Sequence, residues 1–177
     1  MKLEMKILDE RITRLDYATA GAAAVDLRAC SIDGMVLGED CHGITIAPGA
    51  RVKIGTGVAI DLGSIAIDGD TMPVSSDSGR EQFFGFHDYA ALILPRSGLG
   101  SRGITLGNAP GLVDADFQGD LTLALWNAGP DEFKIAPLDR LAQLLIVPVA
   151  RPRFVPVVAF SRTTERGANG FGSTGNQ

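Results

Sequence analysis

The stretch RVKIGTGVAI, residues 51–60, decides the fold class of this 177-residue chain. Its larger apolar side chains all occupy even-numbered positions, namely Val52, Ile54, Val58 and Ile60. Alternation of apolar and polar residues is typical of a β-strand with one buried face. The same alternation recurs in LTLALWN, residues 121–127, so both stretches predict half-buried strands.

Further strand-like runs are bounded by turn-forming residues: AVDLRAC (24–30), YAALILP (89–95), EFKIAP (132–137) and RFVPVVAF (153–160). The run LDRLAQLLIV, residues 138–147, is the one helix candidate. Prolines at 137 and 148 bracket it and its end is β-branched, so we predict a strand there as well. Short strands separated by 22 glycines and 9 prolines predict a single all-β domain, a sandwich or a barrel.

Charge and hydropathy narrow the function classes. The formal charge of −5 argues against a nonspecific nucleic-acid binder, which needs clustered lysines and arginines. The longest apolar run, residues 144–150, is too short for a bilayer span, and the N-terminus is too charged for a signal peptide. We therefore expect a cytoplasmic protein with no membrane contact. Residues 63–86 lack periodicity and predict an inserted loop or a long hairpin.

Two segments carry candidate chemistry. Arg96, Ser97 and Gly98 place a planar cation, a hydroxyl and a flexible backbone together, which suits phosphate oxygens, although PRSG is also a plausible turn. In GLVDADFQGD, residues 111–120, an extended backbone would put Asp114 and Asp116 on one side. Such a pair could bind a metal, position water or solvate a hairpin.

Five segments, in this order along the chain, resemble the five motifs of the trimeric deoxyuridine triphosphatase (dUTPase) family: AVDLRA (24–29), PRSGLGSRG (95–103), GLVDADFQGD (111–120), RLAQLL (140–145) and RGANGFGSTG (166–175). The resemblance implies a distorted jelly-roll or β-barrel fold and a homotrimer whose active sites lie between subunits. It also implies Mg²⁺-dependent hydrolysis of dUTP to dUMP and pyrophosphate.

The resemblance assigns roles on the phosphate side. Asp114 matches the catalytic aspartate, which would orient a water for attack on the α-phosphorus. Asp26 resembles the acid that holds Mg²⁺ through coordinated water. Gln143 matches a residue near the α-phosphate or the metal's waters, and Arg96 with the two residues after it would cradle the phosphates.

The resemblance also assigns a uracil slot. Asn108 stands where an amide reads the uracil edge, and the main chain around Gly111 and Val113 would mimic base pairing. Phe117 stands where the family usually has a tyrosine that packs on deoxyribose and excludes a 2′-hydroxyl. Two further departures, Ala24 for a glycine and Asp120 for a glutamate or glutamine, are conservative.

The tail is the last assignment. The resemblance divides the chain into a β domain of residues 1–164 and a flexible C-terminal lid of residues 165–177. The lid would supply Arg166 to the γ-phosphate and Phe171 to the uracil. The phosphates would also receive N–H and hydroxyl donors from Gly172, Ser173 and Thr174.

Two other functions fit parts of the sequence. The dCTP deaminase family shares the fold and several motifs, but its proton-transferring glutamate on the strand after the hairpin corresponds here to Ala124, which cannot move protons. A catalytically idle nucleotide sensor or protein-binding module is the second alternative. The presence of Asp114 and of the glycine-rich tail argues against it.

Overall fold

The structure is a computed structural model that describes residues 1–38, 41, 43–66 and 89–168. Its elements are β1 Lys2–Ile7, β2 Val25–Arg28, β3 Ser31–Ile32, β4 Met35–Val36, β5 Ile44–Ile46, β6 Arg51–Gly55, β7 Val58–Ala66, β8 Tyr89–Pro95, α1 Ser97–Gly100, β9 Ile104–Leu106, β10 Gly111–Val113, β11 Thr122–Asn127, β12 Phe133–Ile135 and β13 Arg140–Pro148. The predicted all-β class is confirmed, and α1 is a single turn that the sequence did not predict.

The strands form two larger sheets and two pairs. A four-stranded sheet has the order β10-β8-β13-β2, and a five-stranded sheet has the order β4-β3-β6-β11-β9. β1 pairs with β7, and β12 pairs with β5; all these ladders are antiparallel. One continuous apolar core includes residues from both larger sheets, so the sheets pack face to face.

Alternation along the strands builds this core. In β11, Leu121 just before the strand and Leu123 and Leu125 within it are each 1% exposed, as their shared parity predicted. Ile54 of β6 and Val58 of β7 are also buried. The half-buried strand predicted at 121–127 is therefore confirmed. Residues 51–60 instead form two strands, β6 and the start of β7, and Val58, Ala59 and Ile60 are all buried, so a strand with one exposed face is the wrong prediction for that part of the stretch.

The segment from 138 to 147, the one helix candidate, forms a strand. β13 runs from Arg140 to Pro148 and pairs along its length with β8 on one side, while its first half pairs with β2 on the other. The bracketing prolines and β-branched end favoured this outcome, and the prediction is confirmed.

The strand predicted at RFVPVVAF is wrong. Residues 153–160 form no strand, and every one of them is exposed. Pro152 and Pro156 remove two N–H donors from the ladder that a strand here would need. The apolar run has the composition of a strand but no neighbouring edge within the described part of this chain.

The predicted insertion begins later than its sequence suggested. β7 continues to Ala66, and its far end pairs with Lys2 of β1, so residues 63–66 belong to the sheet. Pairing with the N-terminal strand supplies a partner that no periodicity within 63–66 reveals. The remainder of the predicted loop, residues 67–86, lies outside the described residues.

Across the described ranges, no helix has the length and apolar character needed to span a bilayer.

Candidate active site

A cavity of about 210 Å³ opens beside the edge strand β10. Its walls include five of the residues that were assigned to the base, the sugar and the attacking water: Asn108, Gly111, Val113, Asp114 and Phe117. The fold thus brings together residues of the motif at 111–120 and Asn108 from the loop before it. Ile93 of β8 and Leu121 before β11 form the apolar part of the wall.

A turn directly after β10 sets the direction of Asp114. The backbone N–H of Phe117 donates to the carbonyl of Asp114 at 3.2 Å, so the chain reverses here instead of continuing extended. The condition under which Asp114 and Asp116 would share one side is therefore not met. Asp114 lines the cavity, whereas Asp116 is exposed on the turn and is not among the lining residues.

The end of the hairpin loop is fixed by Asp120. Its Oδ1 accepts hydrogen bonds from the N–H groups of Thr56 and Val58, at 3.2 and 3.3 Å, and lies 3.4 Å from the Thr56 hydroxyl. The backbone N–H of Leu121 also donates to the carbonyl of Val58 at 2.8 Å. The loop that carries Asp114 and Phe117 is thereby tied to the turn between β6 and β7.

The predicted phosphate loop forms α1. The N–H groups of Leu99 and Gly100 both donate to the carbonyl of Arg96, so the N–H groups of Ser97 and Gly98 precede the first donors within the turn. Ser97 and Gly98 are exposed. Their exposed N–H groups and the Ser97 hydroxyl are compatible with the anion-binding role that the motif implied.

Two arginines converge on Asp26 of β2. Arg96 Nε lies 3.0 Å from Oδ1, in an ion pair whose angle falls outside hydrogen-bond geometry, and Arg140 Nη1 donates to Oδ2 at 3.2 Å. Arg96 also donates through Nη1 to the carbonyl of Arg140 at 3.1 Å. The cluster holds two cations and one anion, so its net positive charge suits a phosphate in a chain of net negative charge.

A β-bulge explains how Arg140 reaches this cluster. The register of β13 against β2 shifts between Arg140 and Ala142, while Gln143 stands directly opposite Asp26. In a regular strand, residues three apart face opposite sides, and the bulge puts Arg140 and Gln143 on the same side. The strict alternation of a regular strand would not place Arg140 on this side.

The residues around Asp26 determine how a Mg²⁺ ion could be held there. Among the described residues there is no cluster of three or more carboxylate, cysteine or histidine side chains that could hold an ion, and Asp26 is already paired with two arginines. A single carboxylate fits Mg²⁺ only through coordinated water, with substrate phosphates supplying the direct ligands. Asp26 is thus compatible with the water-mediated role that the motif implied.

Comparison with known proteins shows which family the chain belongs to. The family model of dUTPase matches residues 86–175. The deoxyuridine 5′-triphosphate nucleotidohydrolase of Burkholderia mallei (strain SAVP1) is 47% identical over 178 residues, covering 99% of this chain and 99% of that protein. The chain belongs to the dUTPase family.

Solved dUTPases share the fold. The dUTPase of Staphylococcus bacteriophage 80alpha with dUpNHpp superposes with a TM-score of 0.73 and 20% identity, over 99% of each chain. The dUTPase from phage phi11 of S. aureus, which coordinates a structural Mg(II) ion, has a TM-score of 0.65 and 18% identity over 92% of this chain and all of that one. The distorted jelly roll expected from the motifs is confirmed.

Within one copy of this dUTPase-family chain, the two halves of the site are far apart. Val113 pairs with Ala91, which pairs with Ile146, whereas Asp26 pairs with Gln143 on the same strand as Ile146. Val113 and Asp26 are thus separated by three strand spacings of about 4.8 Å and three residues of about 3.3 Å, or about 17 Å in all.

This separation has a chemical consequence. The Arg96 guanidinium lies at Asp26, and Asp114 follows Val113, so the same gap divides the cation that the motifs assign to the phosphates from the carboxylate that they assign to catalysis. A carboxylate, its water and the phosphate that the water attacks occupy successive contacts of about 3 Å. One copy in this arrangement cannot place Asp114 and Arg96 on the same phosphate.

The tail contributes little to the described site. Arg166 is exposed beyond β13 and does not line the cavity beside β10. Phe171, Gly172, Ser173 and Thr174 lie outside the described residues. Their assigned roles stay predictions.

Proposed function

We propose that this protein hydrolyses dUTP to dUMP and pyrophosphate, which would limit uracil incorporation into DNA and supply dUMP for dTMP synthesis. The observation that carries the proposal is the cavity beside β10, where the family's base, sugar and water-positioning residues meet. The nucleotidohydrolase name of a relative 47% identical over nearly the full length supports the same substrate.

The uracil would enter along the edge strand. β10 uses one side for its ladder with β8, which leaves main-chain groups around Gly111 and Val113 on the other side for the base. The Asn108 amide would add a hydrogen bond from the cavity wall. Cytosine, whose donor and acceptor pattern is inverted, would leave these groups unpaired and be rejected.

The chemical step would be an in-line displacement. Asp114 would hold a water and accept its proton as the water oxygen bonds to the α-phosphorus. The bond from the α-phosphorus to the oxygen bridging to the β-phosphate would break, and pyrophosphate would leave with that electron pair. Arg96, Ser97, Gly98 and Gln143 would hold the phosphates during this step.

Mg²⁺ bound to the triphosphate would neutralise charge on the leaving group. Asp26 would orient the ion's coordinated waters, since its carboxylate is the acidic group of the phosphate side. Arg140 would hold Asp26 in place through their hydrogen bond.

The active site would be completed by other copies in a homotrimer. The gap of about 17 Å within one chain requires Asp114 and Arg96 of one site to come from different copies. The exposed apolar run at 153–160 supports assembly, because Phe154 and Phe160 are each 89% exposed and need cover. Residues 165–177 would then act as a lid over the bound nucleotide.

A substrate panel tests the proposal. Pyrophosphate release is measured with dUTP, dTTP, dCTP and UTP in parallel, with and without Mg²⁺. Release from dUTP alone, and dependent on Mg²⁺, is expected. Formation of dUTP or dUMP from dCTP, or equal hydrolysis of all four nucleotides, would overturn the proposal.

A further inference from the structure

The ring of Phe117 rests against a residue without a side chain. A Cβ built on Gly119 would lie 2.8 Å from Phe117 Cζ, 3.2 Å from Cε2 and 3.5 Å from Cε1. The first of these distances is shorter than any that real Cβ atoms tolerate, so an alanine at 119 forces a displacement. The ring occupies this place only because residue 119 is glycine.

An alanine at 119 would displace the Phe117 ring and not the backbone. The backbone on either side of Gly119 is held by the turn from Asp114 to Phe117 and by the Asp120 hydrogen bonds to Thr56 and Val58. The phenyl ring, in contrast, is 46% exposed and can rotate about its own side-chain bonds. A methyl group at 119 therefore moves the ring and leaves the loop where it is.

The ring also forms part of the cavity wall. Phe117 lines the cavity with Asn108 and Asp114, while Gly119 is not among the lining residues. A methyl group at residue 119 therefore changes the part of the cavity wall that the ring forms. The contact sets how much room remains beside the ring.

We propose that Gly119 is a positioning residue that fixes the Phe117 ring and thereby sets the preference for a deoxyribose over a ribose nucleotide. The inference rests on the proposed hydrolysis of dUTP, because it concerns the sugar pocket of the same site. The deoxyribose of dUTP packs against the ring in its present position, whereas the 2′-hydroxyl of UTP already prevents this contact. Moving the ring therefore lowers kcat/KM for dUTP more than it lowers kcat/KM for UTP.

The test compares Gly119→Ala with the wild type on dUTP and UTP. We expect kcat/KM for dUTP to fall about tenfold, mainly through KM, and the ratio of dUTP to UTP to fall with it. Gly21→Ala is the matched control, because a Cβ there meets nothing within 4 Å. Its kcat/KM values should stay within about twofold of the wild type.

A double-mutant cycle separates the ring from general damage. In a Phe117→Ala background the ring is gone, so adding Gly119→Ala should leave the ratio of dUTP to UTP unchanged. The inference is wrong if Gly119→Ala keeps the wild-type ratio, or if it lowers the ratio equally in both backgrounds. Failure of the proposed function gives a different result, namely a wild-type protein that does not hydrolyse dUTP.

Discussion

Arg96 Nε lies 3.0 Å from Asp26 Oδ1, and the same carboxylate accepts a hydrogen bond from Arg140. The carboxylate is 17% exposed and the Arg96 side chain 28%, so solvent screens this ion pair only in part. Asp26 therefore orients the cation that the site offers to a phosphate. The acid that the motif assigns to Mg²⁺ thus also holds the two neighbouring arginines in place.

The Asp26→Asn variant tests whether Asp26 orients these two arginines. The amide keeps the size of the side chain but loses the charge, so both arginines lose the partner that orients them. We expect KM for dUTP to rise at least about tenfold, since a hydrogen bond to a charged group is worth about 1.5–3 kcal/mol. Asp131→Asn is the control, because Asp131 is exposed before β12 and lines neither the cavity beside β10 nor the pocket that contains Asp26. Equal KM values for the two variants would contradict the account.

Asp114→Asn tests the catalytic step. The amide still hydrogen-bonds to a water but takes no proton, so we expect kcat to fall about a thousandfold. Affinity for dUpNHpp, measured by calorimetry, should change little. Asp116→Asn is the matched control on the same turn, since Asp116 does not line the cavity. A similar loss of kcat in both variants would remove Asp114 from its assigned role.

Burial of Cys30 predicts a pH dependence of stability. The thiol is buried and donates to the carbonyl of Thr56 at 3.2 Å, and burial, aided by the charge of Asp9, raises its pKa from 9.0 to about 12. In the unfolded chain the thiol loses its proton near pH 9, while the folded protein retains it. The free energy of unfolding should therefore fall as pH rises from about 9 towards 12.

Urea unfolding at pH 7.5 and pH 10 measures this effect. The wild type should lose about 1 kcal/mol more stability between these pH values than Cys30→Ala, which has no thiol to titrate at this position. Parallel losses in the two proteins would show that the thiol ionises equally in the folded and unfolded states.

Much of the fold could be predicted from local pattern. The parity of Leu121, Leu123 and Leu125 gave a buried face, and the prolines around 138–147 excluded a helix. The run at 153–160 misled the prediction, because its composition favours a strand but a strand also needs an edge to pair with. Such a partner cannot be read from the run itself.

The site was predictable in its residues more than in its geometry. The motifs identified Asp26, Asp114 and the phosphate loop, but the bulge that turns Arg140 towards Asp26 breaks the alternation on which strand prediction rests. The contact between Gly119 and Phe117 depends on how the loop folds back. Both features are set by tertiary pairing, which no window of sequence encodes alone.

The division of the site between copies is tested most directly by mixing two impaired proteins. Arg96→Ala lacks the phosphate-binding cation and Asp114→Asn lacks the catalytic carboxylate. In mixed assemblies, a site can receive Arg96 from one variant and Asp114 from the other. The two proteins are refolded together, with one of them tagged so that mixed assemblies can be purified.

Each mixed trimer contains one complete site of three, so the purified mixed assemblies should have about a third of the wild-type sites. We expect the mixed assemblies to hydrolyse dUTP at roughly this fraction of the wild-type rate, far above the rate of either variant refolded alone. Activity no greater than the average of the two separate variants would contradict it, because both groups would then have to come from a single chain.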